Sequence, residues 1–277
     1  MSTDTIRTPP TGRTTTGSAP RVTAAGLLRG EWLKLRSLRS TWWTLGAGLL
    51  LMVGLGALIS GTYTPGAQGP DGGGAGAVVD PVTLSLSGSG IAQLLVAVLG
   101  VLVVSGEYSS GTVRGTFAAV PRRWPVVAAK AAVLGGVLLV TTTIAAFAAF
   151  SLGQVTYGSG AATLSTDGAL RVVVGTGLYL TGVGLLAMAI TWLLRSTAAS
   201  IATVVVLMLV LPAISGLLPD SWGDVLEKWL PTQAGSAIMT LVTDSTMFSP
   251  WAGLAVMVGW VALLFAAGTA LLRRRDV

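Results

Sequence analysis

Three residue types are missing from this chain of 277 residues: cysteine, histidine and asparagine. Without cysteine there are no disulfides, no zinc-thiolate sites and no iron–sulfur clusters. Without histidine the commonest general base and the commonest transition-metal ligand are gone. Charge is also scarce. Only 10% of residues are Asp, Glu, Lys or Arg, whereas 52% are hydrophobic, and the mean hydropathy is +0.76. Soluble domains carry about 25% charged residues. So few charges cannot cover a water-facing surface, but they suffice for a lipid-facing one. The net charge of +6 would suggest nucleic acid in a soluble protein. Here the basic residues lie between apolar blocks and read as topology signals, with no nucleic-acid role.

What the sequence does contain is six apolar blocks, near 42–60, 89–106, 126–153, 170–194, 198–218 and 250–272. About 20 helical residues cross the hydrocarbon core, and all six blocks reach or approach that length. They are continuous rather than alternating, which disfavours transmembrane β-strands. The expected fold is therefore an all-α membrane protein of six transmembrane helices. The third block has room for extra turns at one end. The hinge near Arg195 and Ser196, between the fourth and fifth, is the least certain boundary.

Charge sets the orientation. With both ends in the cytoplasm, the inside holds seven Lys/Arg before residue 41, then Arg114, Arg122, Arg123, Lys130, Arg195, Arg273, Arg274 and Arg275. Only Arg171 and Lys228 fall outside. The positive-inside rule selects this arrangement. The outer segments hold most of the acids instead: Asp71, Asp80, Asp167, Asp220, Asp224, Glu227 and Asp244.

The connections differ in character. Residues 1–21 are rich in Thr, Pro, Gly and Ser and read as a disordered cytoplasmic tail. The rest, 22–275, reads as one transmembrane domain. In residues 22–40, Leu28, Trp32 and Leu35 recur at helical spacing among Arg29, Lys34, Arg36 and Arg39. Such an amphipathic helix can lie at the cytoplasmic surface with its apolar side in the headgroup boundary. Residues 61–88 are Gly-rich and lack Lys and Arg, and read as a flexible external loop. Residues 219–249 read as one or two short external helices, interfacial or re-entrant. Ser221 and Asp224 resemble a capping box, Trp222, Val225, Leu226, Trp229 and Leu230 repeat at helical spacing, and Pro231 stops the run. Gly54, Gly56 and Ser60 in the first span, and Gly177, Thr181 and Gly184 in the fourth, permit close helix approach. They read as ordinary packing rather than a dimer seam.

Catalytic signatures are absent. There is no G-x-x-x-x-G-K-[ST] phosphate loop, no Gly-x-Ser-x-Gly elbow and no serine with an evident base beside it. No catalytic residue, cofactor site or metal site is expected. An ion-coupled carrier needs a buried ionisable group, and none lies near a span centre. Glu107 stands at the cytoplasmic end of the second span, and Arg171 and Arg195 flank the fourth. A buried ionisable pair would favour a secondary transporter, and a chain with no energy source of its own must borrow one.

Two motifs carry more information. The first is Glu31-Trp-Leu-Lys-Leu-Arg-Ser-Leu-Arg-Ser-Thr-Trp, just before the first span. The second is Glu107-Tyr-Ser-Ser-Gly-Thr-Val-Arg after the second span, followed by Pro121-Arg-Arg and Lys130. A carboxylate beside several bases suits charge-assisted contacts with a cytosolic partner. Gly111 would let the chain turn there. With the six-span plan, these motifs resemble those of the ABC-2 type permeases, the membrane subunits of ATP-binding-cassette transporters.

The resemblance covers about residues 22–275 and implies a mechanism. Two permease chains, alike or different, would pair in the bilayer, each docked on a separate ATPase subunit. Glu107, Gly111, Thr112, Arg114, Arg122 and Arg123 would lie in or beside the coupling helix that meets the ATPase. Glu31, Trp32, Lys34 and Arg36 would lie on the connecting helix. Export is the expected direction. The alternatives are a secondary transporter or channel, and a non-transport membrane scaffold. Few polar groups line the spans, which suits an apolar or amphipathic cargo.

Overall fold

The computed structural model describes residues 23–63, 80–112, 115, 124–241 and 247–274. Six of its helices are long and apolar enough to cross a membrane, and no strand occurs among the described residues. The first helix, α1 (Ala24–Ser37), is capped by the Thr23 hydroxyl, which accepts from the Gly26 amide at 3.2 Å. It ends at Leu38, whose extended backbone makes an elbow into α2 (Arg39–Thr62). Next come a short α3 (Pro81–Ser85) and the spans α4 (Ser89–Ser109), α5 (Trp124–Tyr157) and α6 (Ala169–Leu194). The fifth span, α7 (Thr197–Ser215), contains a π-helical stretch at Val206–Val210, two residues before Pro212. Short helices α8 (Asp220–Trp229) and α9 (Pro231–Ser236) precede the last span, α10 (Pro250–Arg274).

The α6 helix is the central post. Of its most apolar window 72% is buried inside the chain, against 11% for α10 and 17% for α7. Helices α4, α5 and α10 pack around it, and α2 closes against α4 and α5. Lipid tails are as apolar as Leu, so helix association here relies on close van der Waals fit rather than on expulsion of water. The α4–α6 crossing shows the requirement. A Cβ on Gly100 would stand 2.2 Å from the Gly184 carbonyl oxygen, so the two backbones touch. At the α5–α6 crossing the Thr142 hydroxyl reaches the Gly177 carbonyl at 3.0 Å. Gly177 and Gly184 therefore serve contacts within the chain.

Three sequence expectations need correction. Residues 80–88, taken above as part of a flexible external loop, form α3 and a tight turn wedged between spans. Val82 and Ser85 are fully buried. The Gln154 amide of α5 donates to the Pro81 carbonyl at 2.8 Å and to Ser85 Oγ at 2.7 Å. Asp80 caps this helix through the Thr83 amide at 2.8 Å. Apolar Val82, Leu84 and Leu86 among small residues supply a core-facing surface that a Gly-rich composition hides. Second, α8 starts at Asp220 after Pro219, so Ser221 lies inside its first turn and is not its N-cap. Third, α1 buries Glu31 and Leu35 against the bundle, whereas Leu28 and Trp32 are each 40% exposed.

On the side away from α1, α9 and the single 3-10 turn after it lie against α6 and α10. Arg171 holds them there, donating to the carbonyls of Ile238 at 3.2 Å and Thr240 at 2.9 Å. The break between the fourth and fifth spans falls at Arg195, which adopts φ +55°. Ser196 then caps α7 by accepting from the Ala199 amide.

Candidate functional site

The informative geometry lies where α1, the end of α4 and the start of α5 meet. The elbow at Leu38 folds α1 back along α5. Glu31 and Lys34 sit one turn apart on α1 and can face the same neighbour. Glu107 lies in the last turn of α4, and Lys130 is seven residues into α5.

These four side chains form a closed ring of ion pairs. Lys34 Nζ donates to Glu31 Oε1 at 2.8 Å and to Glu107 Oε1 at 3.0 Å. Lys130 Nζ donates to Glu107 Oε1 at 2.7 Å and to Glu31 Oε2. Two cations face two anions, so the ring is neutral as a whole. Lys130 and Glu31 are almost fully buried, Glu107 is nearly so, and Lys34 is 40% exposed.

Burial alone would lower the Lys34 pKa. The hydrogen bonds and charges of Glu31 and Glu107 outweigh it, so the ammonium titrates above its ordinary value of 10.5. Lys34 therefore keeps its charge at neutral pH.

The ring is a correction to the expectation that the chain has no buried ionisable pair. It lies at the ends of the spans rather than at their centres. The α5 helix of 34 residues is about 50 Å long, against about 30 Å of hydrocarbon. Lys130 stands about 9 Å from its start, in the part of the helix that exceeds the hydrocarbon thickness if the span is centred. What local sequence reading missed is the partnership of Glu31 with Lys130, 99 residues apart. The available signal was a lone Lys inside an apolar helix, which reads in the sequence as a topology charge and as the end of the motif that follows Glu107.

Just beyond Glu107 the backbone reverses at Gly111, whose φ of +72° is a conformation glycine adopts at little cost. The Thr112 hydroxyl lies 3.0 Å from that of Ser110. Of the other expected site residues, Trp32 and Arg36 are exposed on α1 and lie outside the ring. Arg114, Arg122 and Arg123 lie outside the described residues. Next to Glu107, Tyr108 stacks edge-on with Trp192 of α6, and the Arg195 guanidinium lies over the Tyr108 ring at 5.8 Å. No group of three or more metal-ligating side chains occurs among the described residues.

The fold and the junction define a multi-pass membrane protein whose lead-in helix is tied by buried charge to the second and third spans. Residues 31–277 match the family described as ABC-2 family transporter protein. The chain belongs to this family and is a membrane permease subunit. The match begins at Glu31, the first member of the ion-pair ring. No curated relative matches the chain.

Proposed function

We propose that the chain is the conduit half of an exporter powered by a separate ATPase subunit. Two permease chains pair in the bilayer, residues 22–275 form one permease unit, both termini face the cytosol, and the chain performs no catalysis itself. The α1 side of the bundle, with Gly111, Thr112 and the basic residues Arg114, Arg122 and Arg123, receives the ATPase. Glu31, Lys34 and Glu107 sit behind that surface, with Trp32 and Arg36 on the exposed part of α1.

One observation carries this reading. The ring binds α1, the segment leading into the 110–123 connection and the start of α5 into one unit. A push delivered to that connection reaches three elements at once instead of dissipating in a loop. Breaking a buried ion pair by removing one partner is costly, so the joint resists yielding under load.

The buried carboxylates also fit an ion-coupled carrier. Their position argues otherwise: each is held by an ammonium, and the ring lies at the ends of the spans. The test is capture of the tagged chain from its host membrane, with nucleotide hydrolysis measured on what co-purifies. An ATPase is expected, with turnover that responds to the permease. Arg114→Glu should leave the permease folded and weaken capture or coupling; Glu107→Lys, which breaks the ring, should weaken them further and also loosen the α1 junction. Solute movement driven by an ion gradient in liposomes holding this chain alone would overturn the reading.

A further inference from the structure

Beside the ion-pair ring lies a cavity of about 320 Å³. Leu35, Leu38, Leu102, Val103, Val133 and Leu134 make its walls aliphatic, while the ring and the hydroxyls of Ser110 and Thr112 stand at its polar end. Ligand pockets for small molecules begin near this size. Leu38 and Leu102 line the cavity and are 47% and 42% exposed, so it communicates with the outer surface of the bundle. That surface is the one a bilayer covers.

The polar end is not electrically symmetric. Glu31, Glu107 and Lys130 are withdrawn, and the exposed member of the ring is the Lys34 ammonium. Arg36 and Arg39 are exposed on either side of Leu38 at the elbow. Neither lines the cavity: Lys34 is the exposed cation at its mouth, and the two Arg lie on the adjacent surface of α1 and the elbow. A purely apolar guest would leave the charged rim unused, and a hydrophilic one would not enter the slot.

We propose that this cavity holds one anionic phospholipid from the leaflet on the α1 side. An acyl chain fills the aliphatic slot, and the phosphate meets Lys34 at the mouth, within the field of Arg36 and Arg39 on the adjacent surface. The occupied slot braces α1 against α4 and α5, so lipid composition regulates how firmly the junction is joined. The site shares Lys34, Glu107 and Thr112 with the surface proposed to receive the ATPase, but lipid retention is read on the permease chain alone, so its failure is distinguishable from failure of that reading.

The test is native mass spectrometry of the full chain, extracted from nanodiscs of phosphatidylcholine containing phosphatidylglycerol. One retained phosphatidylglycerol is expected, favoured over phosphatidylcholine about fivefold for each rim cation engaged. Leu102→Trp, which fills the slot, should abolish retention. Leu209→Trp, on the exposed face of α7, should leave it unchanged. Arg36→Gln should reduce the headgroup preference without emptying the slot. Retention of phosphatidylglycerol by Leu102→Trp at the level of the unaltered chain would overturn the proposal. If Leu102→Trp does not assemble, the unaltered chain decides: equal retention of the two lipids overturns the site.

Discussion

Lys130 is the residue on which the junction turns. Its ammonium is shared between Glu31 and Glu107 and is 4% exposed. Replacing it with methionine leaves two carboxylates facing one half-exposed Lys34. Removing one partner of a buried pair costs about 3–5 kcal/mol. Lys130→Met should therefore destabilise the purified chain strongly. The double variant Glu31→Met with Lys130→Met should lose less than Lys130→Met alone, because it removes charge in a neutral pair and leaves Lys34 with Glu107. Unfolding in denaturing detergent reads both. Equal or larger loss in the double variant would show that the ring does not act as a unit.

Lys34 makes a separate prediction at the same scale. Its pKa is raised in the folded chain, so its stabilising contribution is full below the free lysine value of 10.5 and fades only as pH climbs through the raised value. The docking of α1 should not respond to Lys34 between about pH 6 and about pH 9. A spin-label distance from α1 to α5 would report this, and release of α1 in that range that persists in Lys34→Arg would place the cause elsewhere.

At the scale of elements, two short segments on the far side of the bundle behave as parts of the core. The α3 turn fits because α2 offers no side chain where it sits. A Cβ on Gly56 would stand 2.0 Å from the Ser85 carbonyl oxygen. Gly56→Val should expel α3, at a cost on the order of 1–3 kcal/mol or more from overpacking. Hydrogen exchange at 81–88 should then rise while α6 stays protected. The α9 region depends instead on Arg171, whose hydrogen bonds to carbonyls are charge-assisted and contribute about 1.5–3 kcal/mol. Arg171→Ala should raise exchange across 231–241 without disturbing the ring on the opposite side. An unchanged exchange pattern would mean that α9 is held by its apolar contacts alone.

At the scale of the whole molecule, six crossings place α1 and the end of α10 on one side. Its excess of Lys and Arg supports the proposal that this side faces the cytosol. A tag inserted at residue 70 should be labelled by an impermeant reagent on intact cells, and tags at either terminus should not. Labelling of the C-terminus from outside would reverse the orientation, and with it the face offered to an ATPase.

Run length and composition decided that the chain is helical, multi-pass and all-α, and motifs near Glu31 and Glu107 pointed to the ABC-2 family. These properties are legible because hydrocarbon thickness and helix rise act on each segment independently. The Gly111 turn was legible for the same reason: it is a local backbone demand. The pairing of Glu31 with Lys130, the seating of α3 under Gln154, and the choice of α6 as central post were not. Each depends on which surfaces meet after all six helices have packed, and a single strand of letters carries no distance between residues 99 positions apart.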